Sequence, residues 1–216
     1  MSTVDLSQVG AGFLNQTSDS QQIFRAALEA LSHPGRHVKT ETTFDPPSAV
    51  LASSAGLLLA LLEPGSRLWL SSSLRESAAS SWLIFHTSCS LVNDPAIADF
   101  AWINAWSELP PLSSFSQGTD EYPDQSTTCV LDVPVTTLEQ EPASCLILSG
   151  PGIQVTTTLS RPLGTSEQLE KFTKQWDVNH SLFPRGLDIY FATETGLIGL
   201  PRTTRVSNVK EKLPCT

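Results

Sequence analysis

Two arginines and two threonines stand together near the end of the sequence, in the stretch LPRTTR. Arg202 and Arg205 bracket Thr203 and Thr204, and the stretch follows the short apolar run LIGL. Guanidinium and hydroxyl groups are good donors to phosphate and carboxylate oxygens, and an arginine can hold such an anion with two parallel hydrogen bonds. The stretch therefore predicts either an anion-binding hook or the polar rim of a strand end.

A third arginine and an aspartate precede this region, in the stretch FPRGLD. The runs LDIYFA and LIGL predict a β-hairpin that is closed by a turn at residues 194–196. Strand pairing around this turn places Asp188 near Arg205, with Arg185 beyond it. Two interpretations stay open: a cross-strand ion pair at one end of a sheet, or a guanidinium cluster that binds a phosphate or a carboxylate of a partner.

One histidine and one glycine-containing stretch offer weaker signals. His86 ends an apolar segment in IFHTS, where it could act as a general base, although a hydrogen-bonded structural histidine is the favoured interpretation. The stretch SGPGI follows a strand and could present amides to a phosphate. Because no P-loop lysine follows it, a tight hairpin turn is the favoured interpretation there.

The cysteines and lysines show no metal or cofactor pattern. Neither C-x-x-C spacing nor a paired histidine accompanies any cysteine, so we expect reduced thiols and no bound metal at Cys89, Cys129, Cys145 and Cys215. No lysine is flanked by the apolar residues that a Schiff-base lysine needs. We therefore predict no cofactor and assign no catalytic residue.

The chain is acidic, with a net charge of −9, and its cations are unevenly distributed. No lysine or arginine occurs between Arg75 and Arg161, so cationic side chains of this middle block cannot hold a polyphosphate. The acidic balance predicts no binding to nucleic acid or to anionic lipid. The most apolar run, residues 55–62, is too short to cross a bilayer, and no signal peptide is visible. We therefore expect a soluble protein of the cytoplasm.

The spacing of apolar residues predicts two helices in the first third of the chain. The first follows a polar arm that ends near Thr17, and Asp19 with Gln22 resembles a capping box at its start. The second is expected over residues 47–64, with a proline placed to begin it. Its apolar residues nearly encircle it, so we expect this helix to be buried between layers.

Helices and short strands alternate along the rest of the chain. An amphipathic helix begins with Thr165 or Ser166 as its N-cap, and residues 109–127 form a long loop rich in Pro, Ser and Gly. The predicted strands are RLWL, DFAWINAW, TTCVLDV, SCLILSG, QVTTTL, LDIYFA and LIGL. This order predicts one α/β domain with a mixed β-sheet and helices packed on it, over residues 18–206. Residues 1–17 would then be an N-terminal arm and residues 207–216 a C-terminal tail.

Six segments, taken in order, resemble those of one family: FRAALEALSHPGR, LLALLEPGSRLWL, FHTSCSLVNDPAIADFAWI, GTDEYPDQSTTCVLDV, LSGPGI and FPRGLDIYFATETGLIGLPRTTRV. The resemblance runs over residues 21–206 and is to the PhnH family of the bacterial carbon–phosphorus lyase system. It implies a non-catalytic subunit that works with the other core subunits of that complex in organophosphonate catabolism. The complex forms a ribose 1-phosphonate 5-triphosphate from ATP and an alkylphosphonate. The resemblance also implies a homodimer in isolation and a fold similar to the large domain of pyridoxal-phosphate-dependent transferases, without the cofactor.

A stand-alone enzyme is the alternative that the residues leave open. It would bind a phosphorylated ligand at a dimer interface through Arg202, Arg205, His86 and Arg185. Charge compensation separates the two hypotheses. An arginine pair already matched by Asp188 or by an acidic residue of the long loop leaves no free anion site, whereas an unmatched and partly buried cluster favours the enzyme.

Overall fold

The computed structural model describes residues 10–41, 44, 46–48, 50–133, 146–159 and 165–208. Within these residues the helices are α1 (Gln16–Ser32), α2 (Ala52–Leu61), α3 (Ser72–Arg75), α4 (Ala78–Thr87) and α5 (Ser166–Ser181). The strands are β1 (His37–Lys39), β2 (Arg67–Leu70), β3 (Ser90–Val92), β4 (Phe100–Ile103), β5 (Thr128–Asp132), β6 (Leu146–Ser149), β7 (Thr157–Leu159), β8 (Asp188–Thr193), β9 (Gly196–Leu200) and β10 (Arg205–Asn208). Short 3-10 helices lie at Pro95–Ile97, Trp106–Glu108, Leu112–Ser114 and Pro123–Gln125.

In the described part of the chain, seven strands form a mixed sheet in the order β1-β9-β8-β5-β4-β2-β3. The strands from β3 across to β8 pair in parallel, whereas β9 runs antiparallel to both β8 and β1. A second sheet, antiparallel and ordered β10-β6-β7, lies outside the first. The predicted α/β class with a mixed sheet and packed helices is thus confirmed.

The large sheet is covered on both faces, so its central strands are buried throughout. Successive side chains of a strand point to opposite faces. Val130 and Tyr190 belong to the core formed with α1, α2 and α4, while Leu131 and Phe191 belong to the core formed with α5 and the small sheet. This burial explains why the strand sequences are continuously apolar rather than alternating.

Helix α1 begins before the position that the sequence predicted. Its N-cap is Asn15, whose side chain accepts a hydrogen bond from the backbone of Ser18 at 3.2 Å. Asp19 accepts from the backbone N–H of Asn15 at 3.0 Å, so it closes the cap from inside the helix instead of starting it with Gln22. The predicted capping box is therefore wrong. Residues 1–9 of the expected arm and 209–216 of the expected tail lie outside the described residues.

Helix α2 also differs from the prediction at its start and agrees with it elsewhere. It begins at Ala52, after the extended Leu51, and not at Pro47. Its first turn is fixed by the sheet, because the Ser53 hydroxyl donates to the carbonyl of Thr193 in β8. The helix ends before Pro64 and is buried on all sides in its first half, as its apolar composition predicted.

Helix α5 has the N-cap that the sequence predicted. The Thr165 hydroxyl accepts from the Gln168 backbone at 3.3 Å, and the Gln168 side chain accepts from the Thr165 backbone at 2.9 Å, which completes a capping box. Across residues that the structure describes, no helix combines the length and apolar character that a membrane span needs.

Candidate functional site

The LPRTTR stretch connects the two sheets. Strand β9 ends at Leu200, opposite Ile189, so the following residues lie beside the start of β8. The chain then turns and enters the small sheet, where Arg205 begins β10 and pairs with Ser149. The stretch therefore lies at the amino ends of the parallel strands. Ligands of open α/β sheets bind at the opposite edge, outside the carboxyl ends of the strands.

Arg202 is bound on all sides by groups of its own chain. Its Nη2 donates to Asp188 Oδ2 at 2.6 Å and to Ser126 Oγ at 2.7 Å, while Nε lies 3.2 Å from both Asp188 oxygens. Nη1 donates to the carbonyls of Pro123 and Pro184 at 2.7 and 3.3 Å. An arginine side chain has five N–H donors, and here each has an acceptor. Arg202 thus has no donor left for an external anion.

The partner of Asp188 is Arg202, not Arg205, and the prediction of a contact with Arg205 is wrong. The prediction misjudged the register of the hairpin: with Ile189 opposite Leu200, Asp188 is level with Pro201, which directly precedes Arg202. The backbone N–H of Arg202 accordingly donates to Asp188 Oδ1 at 2.7 Å. The cross-strand interpretation holds in this altered form: the Arg202 and Asp188 side chains are only 14% and 21% exposed.

Arg205 has an exposed side chain and contacts a histidine instead of a carboxylate. Its Nε donates to His180 Nε2 at 3.3 Å. The other ring nitrogen, His180 Nδ1, lies 2.9 Å from the carbonyl of Arg202, so it must carry the proton. This arrangement corresponds to the Nδ1–H tautomer. The two hydrogen bonds of His180 connect the end of α5 to the LPRTTR turn.

The two threonines of the stretch are placed for packing. Thr204 is fully buried, its carbonyl accepts from Trp176 Nε1 at 2.8 Å, and its hydroxyl has no partner among the described residues. Gly150 of the SGPGI turn lies so close to the carbonyl of Thr203 that a side chain there would collide with it. SGPGI is the turn of the β6–β7 hairpin, as favoured from the sequence, and it packs against this loop.

Arg185 lies on the surface beside the long loop. Its Nε is 3.1 Å from Asp120 Oδ1, within ion-pair distance but not aligned as a hydrogen bond. The two side chains are 39% and 82% exposed, so solvent screens the pair and its contribution to stability is small.

His86 lies in the last turn of α4 and is occupied by the N-terminal segment. Its Nε2 is 3.0 Å from the carbonyl of Gly10, and its ring packs edge-on against Trp82 and Phe85 at centroid distances of 5.1 Å. None of these contacts involves the arginines. The structure therefore brings Arg202, Asp188 and Arg205 into one loop, with Arg185 nearby on the surface, and places His86 elsewhere.

Sequence reasoning missed the groups that bind Arg202 and Arg205. Pro123 and Ser126 come from the long loop, and His180 comes from α5. The only signal for the first two was the stretch GTDEYPDQS within a loop that has no periodicity. Nothing in the sequence marked the histidine, because its role depends on where α5 ends relative to β10.

A second missed residue, Asp132, lies at the carboxyl end of β5. It is 2% exposed, and its Oδ1 accepts from the indole of Trp102 in β4 at 3.1 Å. Its Oδ2 has no hydrogen-bond partner among the described residues. Burial raises the pKa of Asp132 to about 7, against the opposing effect of the nearby Ser54 hydroxyl and of the Trp102 indole.

At the same edge, the serines that follow β2 donate to a carboxylate of the chain itself. Glu108 accepts from Ser72 Oγ at 3.0 Å, from the Ser73 backbone at 3.2 Å and from Ser73 Oγ at 2.7 Å. Partial burial acts to raise the pKa of Glu108, but hydrogen bonds from Ser71, Ser73 and Ser72 outweigh it and hold the pKa below its ordinary value. The serine donors at the start of α3 are therefore already hydrogen-bonded to a carboxylate of the chain.

The described cysteines and lysines do not form a reactive centre. Cys89 and Cys129 are free and buried, and burial raises the pKa of both thiols. Cys145 and Cys215 lie outside the described residues. The described lysines are exposed, and no group of three or more potential metal-ligating side chains occurs in the described ranges.

The fold and these contacts define an α/β protein in which the LPRTTR stretch connects two sheets and the arginine Arg202 is bound by groups of its own chain. Residues 11–207 match the family described as "Bacterial phosphonate metabolism protein (PhnH)". The chain is also 31% identical, over 201 residues, to a Rhizobium meliloti (strain 1021) protein described as alpha-D-ribose 1-methylphosphonate 5-triphosphate synthase subunit PhnH. That match covers 93% of this chain and 96% of the relative. The chain belongs to the PhnH family.

Proposed function

We propose that the chain is a non-catalytic subunit of the synthase that forms alpha-D-ribose 1-methylphosphonate 5-triphosphate from ATP and methylphosphonate with release of adenine, within the carbon–phosphorus lyase system. Its partners are the other core subunits of that complex. Membership of the PhnH family supports this role, and so does the Rhizobium relative, which is itself described as a subunit of that synthase.

The observation that carries the proposal is the saturation of Arg202. A triphosphate needs several cationic or amide donors around it. The most buried guanidinium of the candidate cluster has every donor occupied by Asp188, Ser126 and loop carbonyls. At the carboxyl edge, the serine donors already hold Glu108. Both observations favour a subunit over a stand-alone enzyme built on Arg202 and His86.

Three further properties belong to the same proposal. A homodimer in isolation is supported by exposed apolar side chains on α1 and α4: Phe24, Leu28, Ile84 and Phe85. A cytoplasmic location is supported by the free thiols of the described cysteines, which a reducing compartment maintains. A fold similar to the large domain of pyridoxal-phosphate-dependent transferases, without the cofactor, is supported by the parallel strands under helices and by the exposure of the described lysines.

The test is an assay of ATP consumption with methylphosphonate, in which released adenine is measured. The purified chain alone should release none above the background without protein. The companion subunits should release adenine only when this chain is added back. Turnover by the isolated chain, or full activity of the companion subunits without it, would overturn the proposal.

A further inference from the structure

A groove runs along α5 on the side that faces the long loop. It consists of two adjoining cavities of about 300 and 410 Å³, which share Lys171 and Gln175 in their lining. The first begins beside Thr165 at the start of α5, and the second reaches Leu182 just beyond its end. Because α5 rises about 1.5 Å per residue, the groove is roughly 25 Å long. That length suits a segment of polypeptide better than a compact small molecule.

The second cavity of the groove is mainly apolar, whereas the first is lined by polar and apolar groups alike. Trp106, Leu109 and Phe172 line the first cavity, while Leu112 and Leu182 line the second. Near the C-terminal end of α5, Val178 is 58% exposed. Phe183, the residue after Leu182, is 60% exposed. Phe172 and Leu112 are buried under the groove, so its exposed apolar surface is concentrated at Val178 and the neighbouring Phe183, where a partner can cover it.

The walls of the groove are held in place by hydrogen bonds. The side chain of Gln117 donates to the carbonyls of Leu112 and Phe115 at 2.8 and 3.0 Å. Gln175 accepts from the Leu112 backbone at 2.8 Å, and Asn179 is hydrogen-bonded to Leu187. The loop is therefore hydrogen-bonded to α5, so docking of a segment does not require a further loss of conformational entropy in the groove walls.

The lysines of the second cavity indicate that a docked segment is acidic. The structure describes three lysines, and two of them, Lys171 and Lys174, line the second cavity. Among described residues no carboxylate lies within ion-pair distance of Lys171, whereas Lys174 has only the exposed and weak pair with Glu170. The chain as a whole carries a net charge of −9, whereas the lining of the second cavity contains two lysines and no carboxylate among the described residues. An acidic segment is attracted here and repelled elsewhere.

We infer that the α5 groove docks a segment of a companion subunit, with apolar side chains on the groove floor and acidic residues beside Lys171 and Lys174. Glu167 lines the other end of the groove, so its carboxylate repels acidic residues of the segment from that end. The acidic residues of the segment lie towards the C-terminal half of α5. The inference rests on the proposed function, because it takes the occupant from the same complex.

The test is co-purification of the tagged full-length chain with co-expressed companion subunits, quantified by mass measurement. Lys171→Glu/Lys174→Glu should weaken the association at least tenfold. Arg25→Glu/Lys39→Glu makes the same change in net charge at exposed sites away from the groove and should bind as the wild type does. Wild-type binding should weaken as salt rises from 0.05 to 0.5 M, because the contact is between exposed charges. Equal binding by the two double variants would overturn the inference, whereas failure of the wild type to co-purify would overturn the proposed function.

A photo-crosslinking residue at position 178 identifies the occupant directly. The expected product joins this chain to a companion-subunit peptide that combines apolar and acidic residues. A product formed with a second copy of this chain would overturn the inference, and so would a companion peptide without acidic residues. Thermal unfolding of each purified variant should match the wild type, because Lys171 and Lys174 are exposed.

Discussion

Two carboxylates at opposite edges of the same sheet are treated in opposite ways. Asp188 begins β8 and Asp132 ends β5, the strand that pairs with it. Asp188 is held by the guanidinium and the backbone N–H of Arg202. Asp132 is more deeply buried, yet its side-chain donor is a neutral indole, and burial raises its pKa to about 7. The sheet has a cation for one carboxylate and none for the other.

The difference follows from where the cations lie in the sequence. Asp132 and Trp102 both belong to the block between Arg75 and Arg161 that has no lysine or arginine. The groups that face Asp132 from α2 are Ser54 and the backbone of Leu51, which are uncharged. The arginines of the chain's last quarter are at the amino edge, where they hold loops. The carboxyl edge, where ligands of such sheets bind, is thus without cationic side chains from this block.

The largest effect that tests this comparison is the loss of Arg202. Arg202→Ala leaves Asp188 without its cation in a mostly buried place, and it removes the donors to the long loop. We expect the free energy of unfolding, measured by urea denaturation, to fall by about 3 kcal/mol or more. Arg202→Ala/Asp188→Ala should recover part of this loss, because no unpaired carboxylate then remains.

The matched control for this variant is Arg205→Ala, in the same loop. The Arg205 side chain is exposed, and its one hydrogen bond within the described residues is to His180, so the change should stay within about 0.5 kcal/mol. If both alanine variants lower the free energy of unfolding equally, then the hydrogen bonds of Arg202 do not set the stability of the loop. The contrast between a paired Asp188 and an unpaired Asp132 would then not hold for Asp188.

The second effect concerns pH, and it tests the other carboxylate. The folded protein keeps the proton of Asp132 up to about pH 7, whereas the unfolded chain releases it near the ordinary value of 3.8. The stability that this group contributes is therefore greatest below about pH 4 and is lost as pH rises towards 7. Between pH 5 and pH 7 the loss amounts to about 2 kcal/mol. Asp132→Asn cannot ionise, so its free energy of unfolding should lack this decline.

The measurement is urea unfolding of both proteins at pH 5, 6, 7 and 8, and the difference between them isolates Asp132. Asp120→Asn is the control, because the Asp120 side chain is 82% exposed and its removal should leave the pH profile as in the wild type. Parallel profiles for the wild type and Asp132→Asn would show that the buried carboxyl is ionised throughout this range.

Local patterns predicted much of the fold. Periodicity predicted the β8–β9 hairpin, and the stretch TSEQ predicted the cap of α5. Both depend on residues that are close in sequence. The start of α2 was not predictable in this way, because Ser53 bonds to a carbonyl 140 residues later. Propensity placed the start at a proline, and tertiary contact moved it.

The site was predictable in its members but not in its contacts. The sequence indicated Arg202, Asp188 and Arg205 as one region, and the structure brings them together. The choice of partner depended on the register of the hairpin, because the observed pairing of Thr193 with Gly196 brings Asp188 level with Pro201 and so beside Arg202. The carbonyl of Pro123 lies 79 residues before Arg202, so no short-range pattern connects the two.

The smallest effect is expected at an ion pair whose members are close together but exposed to solvent. The Arg185–Asp120 pair is nearly as close as the Arg202–Asp188 pair, at 3.1 Å against 2.6 Å, but both of its members face solvent. Arg185→Ala should therefore change the free energy of unfolding by no more than about 0.5 kcal/mol, measured by the same urea titration. A loss comparable to that of Arg202→Ala would mean that the position of the long loop depends on its ion pairs regardless of exposure. A small loss would agree with the exposure of the Arg185 pair, whereas the larger loss at Arg202 combines burial with its further hydrogen bonds to Ser126, Pro123 and Pro184.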